Sequence, residues 1–292
     1  MNPPRGAFGA PPRGVAAGGP AEPDPQRPLG NSLRHSPSFD PSLLSRIEDA
    51  GLNASAPPQQ RWIDGWLVRF SPGKAKRARC VNALAAGRLP LVHKLALAQA
   101  VFDEAQLPAV VRITPFSQPP DLDAQLRARG WQRIDDTRVM VRAALDELQD
   151  EALPVGLSWQ VLGHSAFAQA VGHLRRSPLS QSQAHAQRLE LSPVPFRALA
   201  IRREADGALL ACGQFACEAD LVGLYDVFTA EAERGQGLAG RLCARLLAQA
   251  RDEGARSAYL QVEGDNHAAR NVYRRLGFAD AYAYHYCTPA PD

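Results

Sequence analysis

The sequence predicts an α/β fold, in which helices flank a central β-sheet, from three segments of its C-terminal half. Residues 221–229 are rich in apolar, aromatic and β-branched side chains, which is typical of a buried strand. Between Leu238 and Ala250, apolar residues recur at every fourth position, which indicates an amphipathic helix. Residues 257–263 again have the composition of a strand, so strand and helix alternate along this part of the chain.

A glycine-rich loop joins the first of these strands to the helix. It has the sequence Arg234-Gly235-Gln236-Gly237-Leu238-Ala239-Gly240. The first turn of a helix presents N–H groups without partners and the positive end of the helix dipole, so an anion bound there gains hydrogen bonds and charge complementarity. Gly235 and Gly237 keep side chains out of its path, and Arg234 adds a positive charge suited to phosphate. The loop therefore predicts a pyrophosphate site.

Other phosphate-binding loops share parts of this pattern. A P-loop requires Gly-Lys-Ser/Thr after the glycines, and no such triplet follows Gly237. Residues 235–240 match the G-x-G-x-x-G pattern of dinucleotide-binding folds, and Glu263 has about the twenty-residue spacing of the acidic residue in that fingerprint. Only about fifty residues follow the loop, however, and the further βα units of such a domain need roughly thirty residues each. Dinucleotide binding is therefore kept only as an alternative.

A second motif follows the loop. Residues 265–278 read Asp-Asn-His-Ala-Ala-Arg-Asn-Val-Tyr-Arg-Arg-Leu-Gly-Phe. They resemble the N-x-x-A-x-x-x-Y-x-x-x-G-F block of the GNAT superfamily of N-acetyltransferases, with Asn266 and Tyr273 at its polar positions. Residues 234–239 resemble the Q/R-x-x-G-x-G/A signature of the same family, and the two motifs occur in the family's order.

The resemblance implies an acetyl-CoA-dependent acyltransferase that uses no metal and acetylates a primary amine by direct attack. It also implies that the strands at residues 221–229 and 257–263 splay apart, that the pantetheine arm lies in the gap, and that the loop holds the pyrophosphate. The cofactor-binding residues that it implies are Val227, Phe228, Thr229, Arg234, Gly235, Gln236, Gly237, Leu238, Ala239, Gly240, Asn266 and Tyr273.

Acetyl transfer requires a group that removes the proton of the amine and a donor near the departing thiolate. Tyr273 matches the family's general acid, and a tyrosine with a pKa near 10 is protonated at neutral pH. Some relatives carry a glutamate base where Gln261 stands, and an amide cannot take a proton at neutral pH. The predicted base is therefore Asp226, or a water chain that ends at Asp226 or Glu263. If Gln261 instead marks a loss of turnover, the protein is a catalytically quiet acyl-CoA-binding or regulatory protein.

Several of these residues also have structural interpretations. Asn266 heads a predicted helix, where asparagine is a good N-cap. Tyr273 has the spacing of a half-buried core tyrosine, and Asp226 has the alternative of pairing within the sheet. Three alternating tyrosines of the last strand are expected to pack across strands rather than to line the acceptor site. They are Tyr282, Tyr284 and Tyr286.

The chain has 292 residues, of which 45% are hydrophobic, and can therefore form two modest cores. Residues 1–38 are dense in proline and glycine and poor in large apolar residues, which predicts a disordered tail. Residues 39–150 are predicted to form a degenerate GNAT-like domain, and residues 151–292 the catalytic GNAT domain. Each domain is expected to contain a mixed, splayed central sheet flanked by helices.

The predicted repeat rests on a shift of 147 residues, which places a Gly-Trp pair of the first half on the Gly-Phe pair of the second motif. The same shift puts Pro119 and Leu126 where Asn266 and Tyr273 stand, and residues 87–92 where the pyrophosphate loop stands. A proline in that segment removes an amide donor. The first half is therefore expected to have lost cofactor binding and to shape or cover the acceptor site.

Composition argues against several other classes of protein. The net charge of +3 is too small to indicate a nucleic-acid partner, and five cysteines without metal-type pairs predict reduced thiols. No signal peptide and no run of roughly 18 apolar residues is present, so no membrane association is expected and the predicted location is the cytoplasm. The expected partner is a small-molecule or peptide amine. Residues 175–182, a polar segment, lie where the acceptor site of the family usually is.

Overall fold

The computed structural model describes residues 39–71, 75–149 and 152–290 of the chain. The tail predicted for residues 1–38 therefore lies outside the described residues. All the described residues belong to one compact unit. Within these ranges, no helix is both long enough and apolar enough to cross a lipid bilayer.

Helices and strands occur in both halves of the described chain. The helices are α1 (Pro41–Ala54), α2 (Leu91–Glu104), α3 (Leu122–Arg127), α4 (His164–Arg175), α5 (Leu179–Glu190), α6 (Leu238–Asp252) and α7 (His267–Arg275). The strands are β1 (Gln60–Ile63), β2 (Trp66–Arg69), β3 (Val81–Ala83), β4 (Val111–Ile113), β5 (Trp131–Arg142), β6 (Leu157–Leu162), β7 (Phe196–Arg203), β8 (Leu209–Glu218), β9 (Leu221–Thr229), β10 (Ser257–Glu263) and β11 (Ala279–Pro289).

These strands form a single sheet in the order β1-β2-β3-β4-β11-β5-β10-β9-β8-β7-β6. The pairs β3–β4 and β9–β10 are parallel, whereas the other neighbours are antiparallel. The prediction of an α/β fold with a mixed central sheet is therefore confirmed.

The two predicted halves of the chain exchange strands within this sheet. The last strand of the chain, β11, lies between β4 and β5, and β5 of the first half lies between β11 and β10. The predicted boundary at residue 150 falls between β5 and β6, so strands from both sides of it alternate at the centre of the sheet. The domain division itself stays a prediction.

Helix α6 buries its apolar face against the sheet that carries the candidate site. Leu242 and Leu246 of this helix have no exposed surface, and each leucine buried in this way contributes roughly 1.5–3 kcal/mol to folding. Gly213 of β8 allows the close approach, because an added Cβ would lie 3.2 to 3.3 Å from atoms of both leucines and of Val227. The core therefore fixes α6 directly behind β8 and β9.

The tyrosines of β11 lie in a buried layer on the sheet. Tyr282, Tyr284 and Tyr286 are at most 9% exposed, and the expectation that they pack is confirmed. Tyr282 donates a hydrogen bond of 2.7 Å to Glu48 of α1, and Glu48 also forms a buried ion pair with Arg112 of β4. This network ties α1 to the centre of the sheet.

Candidate active site

The parallel strands β9 and β10 separate part of the way along their length. Their residues pair only as far as Leu224 and Leu260. Beyond that point β9 continues to Thr229, while β10 continues to Glu263 with β5 as its partner. Because the main-chain groups of a separated edge lack a strand partner, they are available to a ligand. The splay that the resemblance implies is therefore present.

A β-bulge in β9 follows directly after the separation. Tyr225 pairs with Gln214 and Phe228 pairs with Cys212 of β8, so three steps along β9 match two steps along β8. Within the bulge, Asp226 has a φ of 49°, in the left-handed region that residues other than glycine rarely adopt. The bulge directs the Asp226 side chain toward α4 and α5, which contact it.

The glycine-rich loop follows the separated part of β9 and opens α6. Gly235 and Gly237 have φ values of 80° and 78°, and Gly237 is the N-cap of α6 without a side-chain hydrogen bond to the first turn. An added Cβ at Gly235 would meet no atom within 4 Å, so the backbone conformation and not the space requires glycine there. The first turn of α6 therefore keeps N–H groups for an anion.

Two side chains of the loop differ in what they offer to a ligand. Gln236 donates a hydrogen bond of 3.0 Å to Glu233, which is itself paired with Arg203. Gln236 therefore offers its main chain rather than its side chain. Arg234 is exposed, and no ion pair within the described residues holds it. Its guanidinium is available for a phosphate.

The second motif places Asn266 at the start of α7 and Tyr273 within this helix. Asn266 is the N-cap of this helix, and its side-chain oxygen accepts a hydrogen bond of 3.1 Å from the N–H of Ala269. The capping interpretation is therefore confirmed, and the side-chain nitrogen of Asn266 has no partner among the described residues. The Tyr273 ring is half-buried and packs edge to face on Phe278 at 6.1 Å. Burial raises the pKa of Tyr273 well above its usual value, so the hydroxyl stays protonated and can donate.

Asp226 is held by three side chains from neighbouring elements. Arg175 of α4 donates a hydrogen bond of 2.8 Å to Oδ1, and Gln214 of β8 donates one of 3.0 Å to Oδ2. Nε2 of His185, on α5, lies 3.4 Å from Oδ2. Burial alone would raise the pKa of Asp226, but His185, Arg175 and Arg188 together hold it far below its usual range. A carboxylate held in this way is a poor proton acceptor at neutral pH.

A cavity of about 270 Å³ lies between α4, α5 and the bulge of β9. Its lining includes Asp226, His185 and Arg188, together with Ala75 from the first half of the chain. The polar segment at residues 175–182 lines the same cavity, where the acceptor was expected. His185 and Arg188 were not indicated by the sequence, because they belong to no motif. Their spacing of three residues on α5 is the only signal that could have joined them.

Gln261 and Glu263, two polar residues near the end of β10, have separate environments. The side-chain oxygen of Gln261 accepts hydrogen bonds from Arg77 and from the Tyr284 hydroxyl, the latter at 2.7 Å. Glu263 is exposed at the end of β10, and no hydrogen bond or ion pair within the described residues joins it to Asp226. Asp226 and Glu263, the two carboxylates predicted to accept the proton, are therefore not in contact with each other.

The first half of the chain carries its own carboxylate at residues 87–92, the segment that the predicted repeat matches to the pyrophosphate loop. The Asp64 carboxylate accepts hydrogen bonds of 2.9 Å from the N–H of Arg88 and 2.8 Å from the N–H of Leu89, just before α2. Lys94 lies 3.6 Å from the same carboxylate and donates to the main-chain oxygen of Asp64 at 2.8 Å. An anion of the protein thus occupies the amide groups that a phosphate would use.

A cluster of Asp123, His285 and Cys287 has the side chains of a metal site, and it lies apart from the cavity. Asp123 accepts a hydrogen bond of 3.1 Å from Nε of Arg133 and lies 2.9 Å from Nε2 of His285. Burial opposes ionisation of Asp123, but Arg133 and His285 lower its pKa to about 2. The cluster therefore joins α3 to β5 and β11 through an ion pair.

Comparisons with known proteins agree with this geometry. Residues 168–278 match the model of the acetyltransferase (GNAT) family. The chain is 24% identical over 230 residues to the uncharacterized N-acetyltransferase YobR of Bacillus subtilis (strain 168), over 78% of this chain and 91% of that protein.

Two solved structures share the fold at low sequence identity. A GCN5-related N-acetyltransferase from Kribbella flavida superposes with a TM-score of 0.62 at 16% identity, over 85% of this chain and 96% of that one. A tandem GNAT protein from the clavulanic acid biosynthesis pathway superposes with a TM-score of 0.57 at 17% identity, over 69% of this chain and 70% of that one. Each of these likenesses extends well beyond the segment that matches the family model.

Proposed function

We propose that the chain is a GNAT-family acetyltransferase and that it transfers an acetyl group from acetyl-CoA to a primary amine by direct attack, on the basis of the match of residues 168–278 to the family model and of the likeness to an N-acetyltransferase. The observation that carries this proposal is the succession of two features at the end of β9. The separated edge of β9 offers main-chain groups to a pantetheine arm, and the uncapped N-terminus of α6 offers N–H groups to a pyrophosphate. The acceptor is a small-molecule or peptide amine.

The proposed contacts to acetyl-CoA follow from these features. The main chain of Val227, Phe228 and Thr229 binds the pantetheine arm, and residues 234–240 hold the pyrophosphate. Asn266 faces the arm with its free side-chain nitrogen. These assignments are supported by the unpaired strand edge and by the left-handed glycines of the loop.

Tyr273 is the proposed general acid, and His185 replaces the predicted Asp226 as the proposed base. An imidazole can take up a proton near neutral pH, and a carboxylate that contacts one ring nitrogen orients the other. Nε2 of His185 faces Asp226, which leaves Nδ1 to accept the proton of an acceptor amine bound in the cavity. As the C–N bond forms and the C–S bond breaks, the proton of the attacking nitrogen passes to His185. The thiolate takes its proton from Tyr273, which solvent then reprotonates.

Isothermal titration and thiol release test this proposal together. Acetyl-CoA is expected to bind the full chain in the micromolar range, whereas NADH, the probe of the dinucleotide alternative, is not. Incubation with acetyl-CoA and a panel of amines is expected to release free thiol only when an acceptor is present. If acetyl-CoA showed no heat of binding at micromolar protein, the assignment of the loop would be wrong.

An acyl-CoA-binding protein without turnover is the second candidate function, and Gln261 favours it. The oxygen of this amide is already engaged by Arg77 and Tyr284, so β10 offers no carboxylate base at that position. This candidate predicts that acetyl-CoA binds but that no amine in the panel releases thiol. The two candidates therefore differ in the second measurement and agree in the first.

We also propose that residues 39–150 are a degenerate GNAT-like half that shapes the acceptor site of residues 151–292. Support comes from the Asp64 carboxylate at the N-terminus of α2 and from the contribution of Ala75 to the cavity. The likeness to a tandem GNAT protein, at a TM-score of 0.57, is in keeping with this organisation.

A further inference from the structure

We propose that the amine acceptor carries a carboxylate group and that Arg188 binds this group within the cavity. This inference rests on the proposed acetyltransferase function, because it concerns the acceptor of that reaction. It names a class of substrate, the amino acids and their small derivatives, and it assigns a role to a residue that the motifs do not include.

Among the described residues that line the cavity, one cation has no anionic partner. Arg175 is paired with Asp226 at 2.8 Å, and the Arg175 guanidinium also lies over the Phe228 ring at 4.8 Å. Arg188 lines the same cavity, and no hydrogen bond or ion pair within the described residues holds its guanidinium. Among the described residues of the cavity lining, Asp226 is the only acidic one, and it is already engaged by Arg175, Gln214 and His185.

The position of Arg188 is costly for an unpaired cation. Burial lowers the pKa of Arg188, and the charges of Arg77 and Arg175 act in the same direction, while Asp226 compensates only in part. Arg188 is half-buried, and a charge that has lost part of its hydration is stabilised by a partner of opposite sign. An anionic group of a bound acceptor provides that partner, and a guanidinium matches the two oxygens of a carboxylate with two parallel hydrogen bonds.

The geometry of α5 joins the anion site to the proposed base. His185 and Arg188 are three residues apart on α5, so their side chains lie on the same face of the helix and both reach the cavity. An acceptor held by its carboxylate on Arg188 therefore presents an amine a few bonds away to His185. Arg188 is the one uncompensated charge among the described lining residues, and the cavity volume is only about 270 Å³, which together favour a compact monoanion over a doubly charged phosphate.

Binding of product analogues tests the inference without requiring turnover. The probes are the N-acetyl derivatives of glycine, alanine, glutamate and phenylalanine, each compared with its carboxamide, with CoA present. At least one carboxylate is expected to bind the wild-type chain about 10- to 100-fold more tightly than its carboxamide, as expected for a charge-assisted pair. If no pair showed a preference for the carboxylate, the inference would be overturned.

Two substitutions of Arg188 test whether this residue causes the preference for carboxylates over carboxamides. Arg188→Gln is expected to abolish it, and Arg188→Lys to restore part of it. Arg176→Gln is the matched control, because Arg176 is 86% exposed and pairs with Glu231 outside the cavity lining. Retention of the preference in the folded, CoA-binding Arg188→Gln chain would contradict the assignment. Thiol release is measured separately, so a chain that prefers carboxylates but acetylates no amine disproves the proposed function and leaves this site in place.

Discussion

Arg77 donates a hydrogen bond to the side-chain oxygen of Gln261, across 184 residues of sequence. Arg77 belongs to the predicted degenerate half, whereas Gln261 lies on β10, one of the two strands that separate at the candidate site. The first half therefore contributes to the site directly, through a side chain that reaches the gap. The side-chain oxygen of Gln261 also accepts a hydrogen bond from the Tyr284 hydroxyl, so two donors share this amide oxygen.

Replacement of Tyr273 by phenylalanine tests the general acid. The variant is expected to lose about 10²- to 10⁴-fold in kcat, the usual contribution of a positioned acid, while its affinity for acetyl-CoA stays unchanged. Because the pKa of Tyr273 is raised, the wild-type rate should show no loss from tyrosine ionisation up to pH 10. Tyr286→Phe is the matched control, since Tyr286 is buried against Tyr284 of β11. Equal rates for the Tyr273→Phe and wild-type chains would remove Tyr273 from the mechanism.

Replacement of His185 by glutamine tests the base. The expected result is a loss of kcat of about 100-fold. His173→Gln, on the exposed face of α4, serves as the control and should keep the full rate. A folded, CoA-binding His185→Gln chain with the wild-type kcat would exclude His185 and would return attention to a water chain.

Protonation of Asp226 should make the free energy of unfolding depend on pH in the acid range. Because its folded-state pKa lies below the ordinary value of 3.8, the stabilisation from its ion pairs is fully present above about pH 4 and is lost as the pH falls through the folded-state value. Asp226→Asn is expected to lower the free energy of unfolding by about 3 kcal/mol at pH 7, since Arg175 and His185 lose their charged partner. The difference between the two chains should shrink below pH 4. A difference that stayed constant down to pH 2 would contradict this account of Asp226, and urea unfolding at several pH values measures it.

The contacts of the Asp64 carboxylate predict how many acetyl-CoA molecules the chain binds. Because its carboxylate occupies the amides of Arg88 and Leu89, only the C-terminal loop is open and titration should give one site per chain. Asp64→Ala is expected to lower the free energy of unfolding, as for the loss of a cap, without a change in acetyl-CoA affinity. Glu104→Gln, at an exposed position of α2, is the control. Two equivalent sites in the wild-type chain would show that the first half still binds the cofactor.

The sequence was sufficient for the features that depend on neighbouring residues. The loop at residues 234–240 and the α7 motif could be placed because glycine spacing and helix capping act locally. The position of β11 between β4 and β5 could not, because it depends on pairing between residues more than a hundred positions apart. The left-handed conformation of Asp226 was equally hidden, since aspartate is not a residue that requires it.

The residues of the cavity were missed for a related reason. His185 and Arg188 lie on α5 with the composition of an ordinary polar helix, and their importance appears only when the bulge of β9 brings Asp226 against them. The prediction of Asp226 as a base shows the same limit. Its place in the site follows from the strand pattern, but its pKa is lowered by His185, Arg175 and Arg188, which belong to other elements.

Two glycines that both adopt a left-handed backbone conformation allow the role of the loop in binding to be distinguished from its role in folding. Gly235 and Gly207 have φ values of 80° and 70°, and an added Cβ would meet no atom within 4 Å at either position. Replacement of either by alanine should therefore cost a similar amount of folding free energy, about 1–2 kcal/mol, from the strained left-handed backbone alone. Only Gly235 lies in the loop before α6, so Gly235→Ala should also weaken acetyl-CoA binding, by about tenfold, while Gly207→Ala should not. Calorimetry on both variants at a temperature where both are folded makes the comparison. Equal affinities would show that the loop does not approach the pyrophosphate.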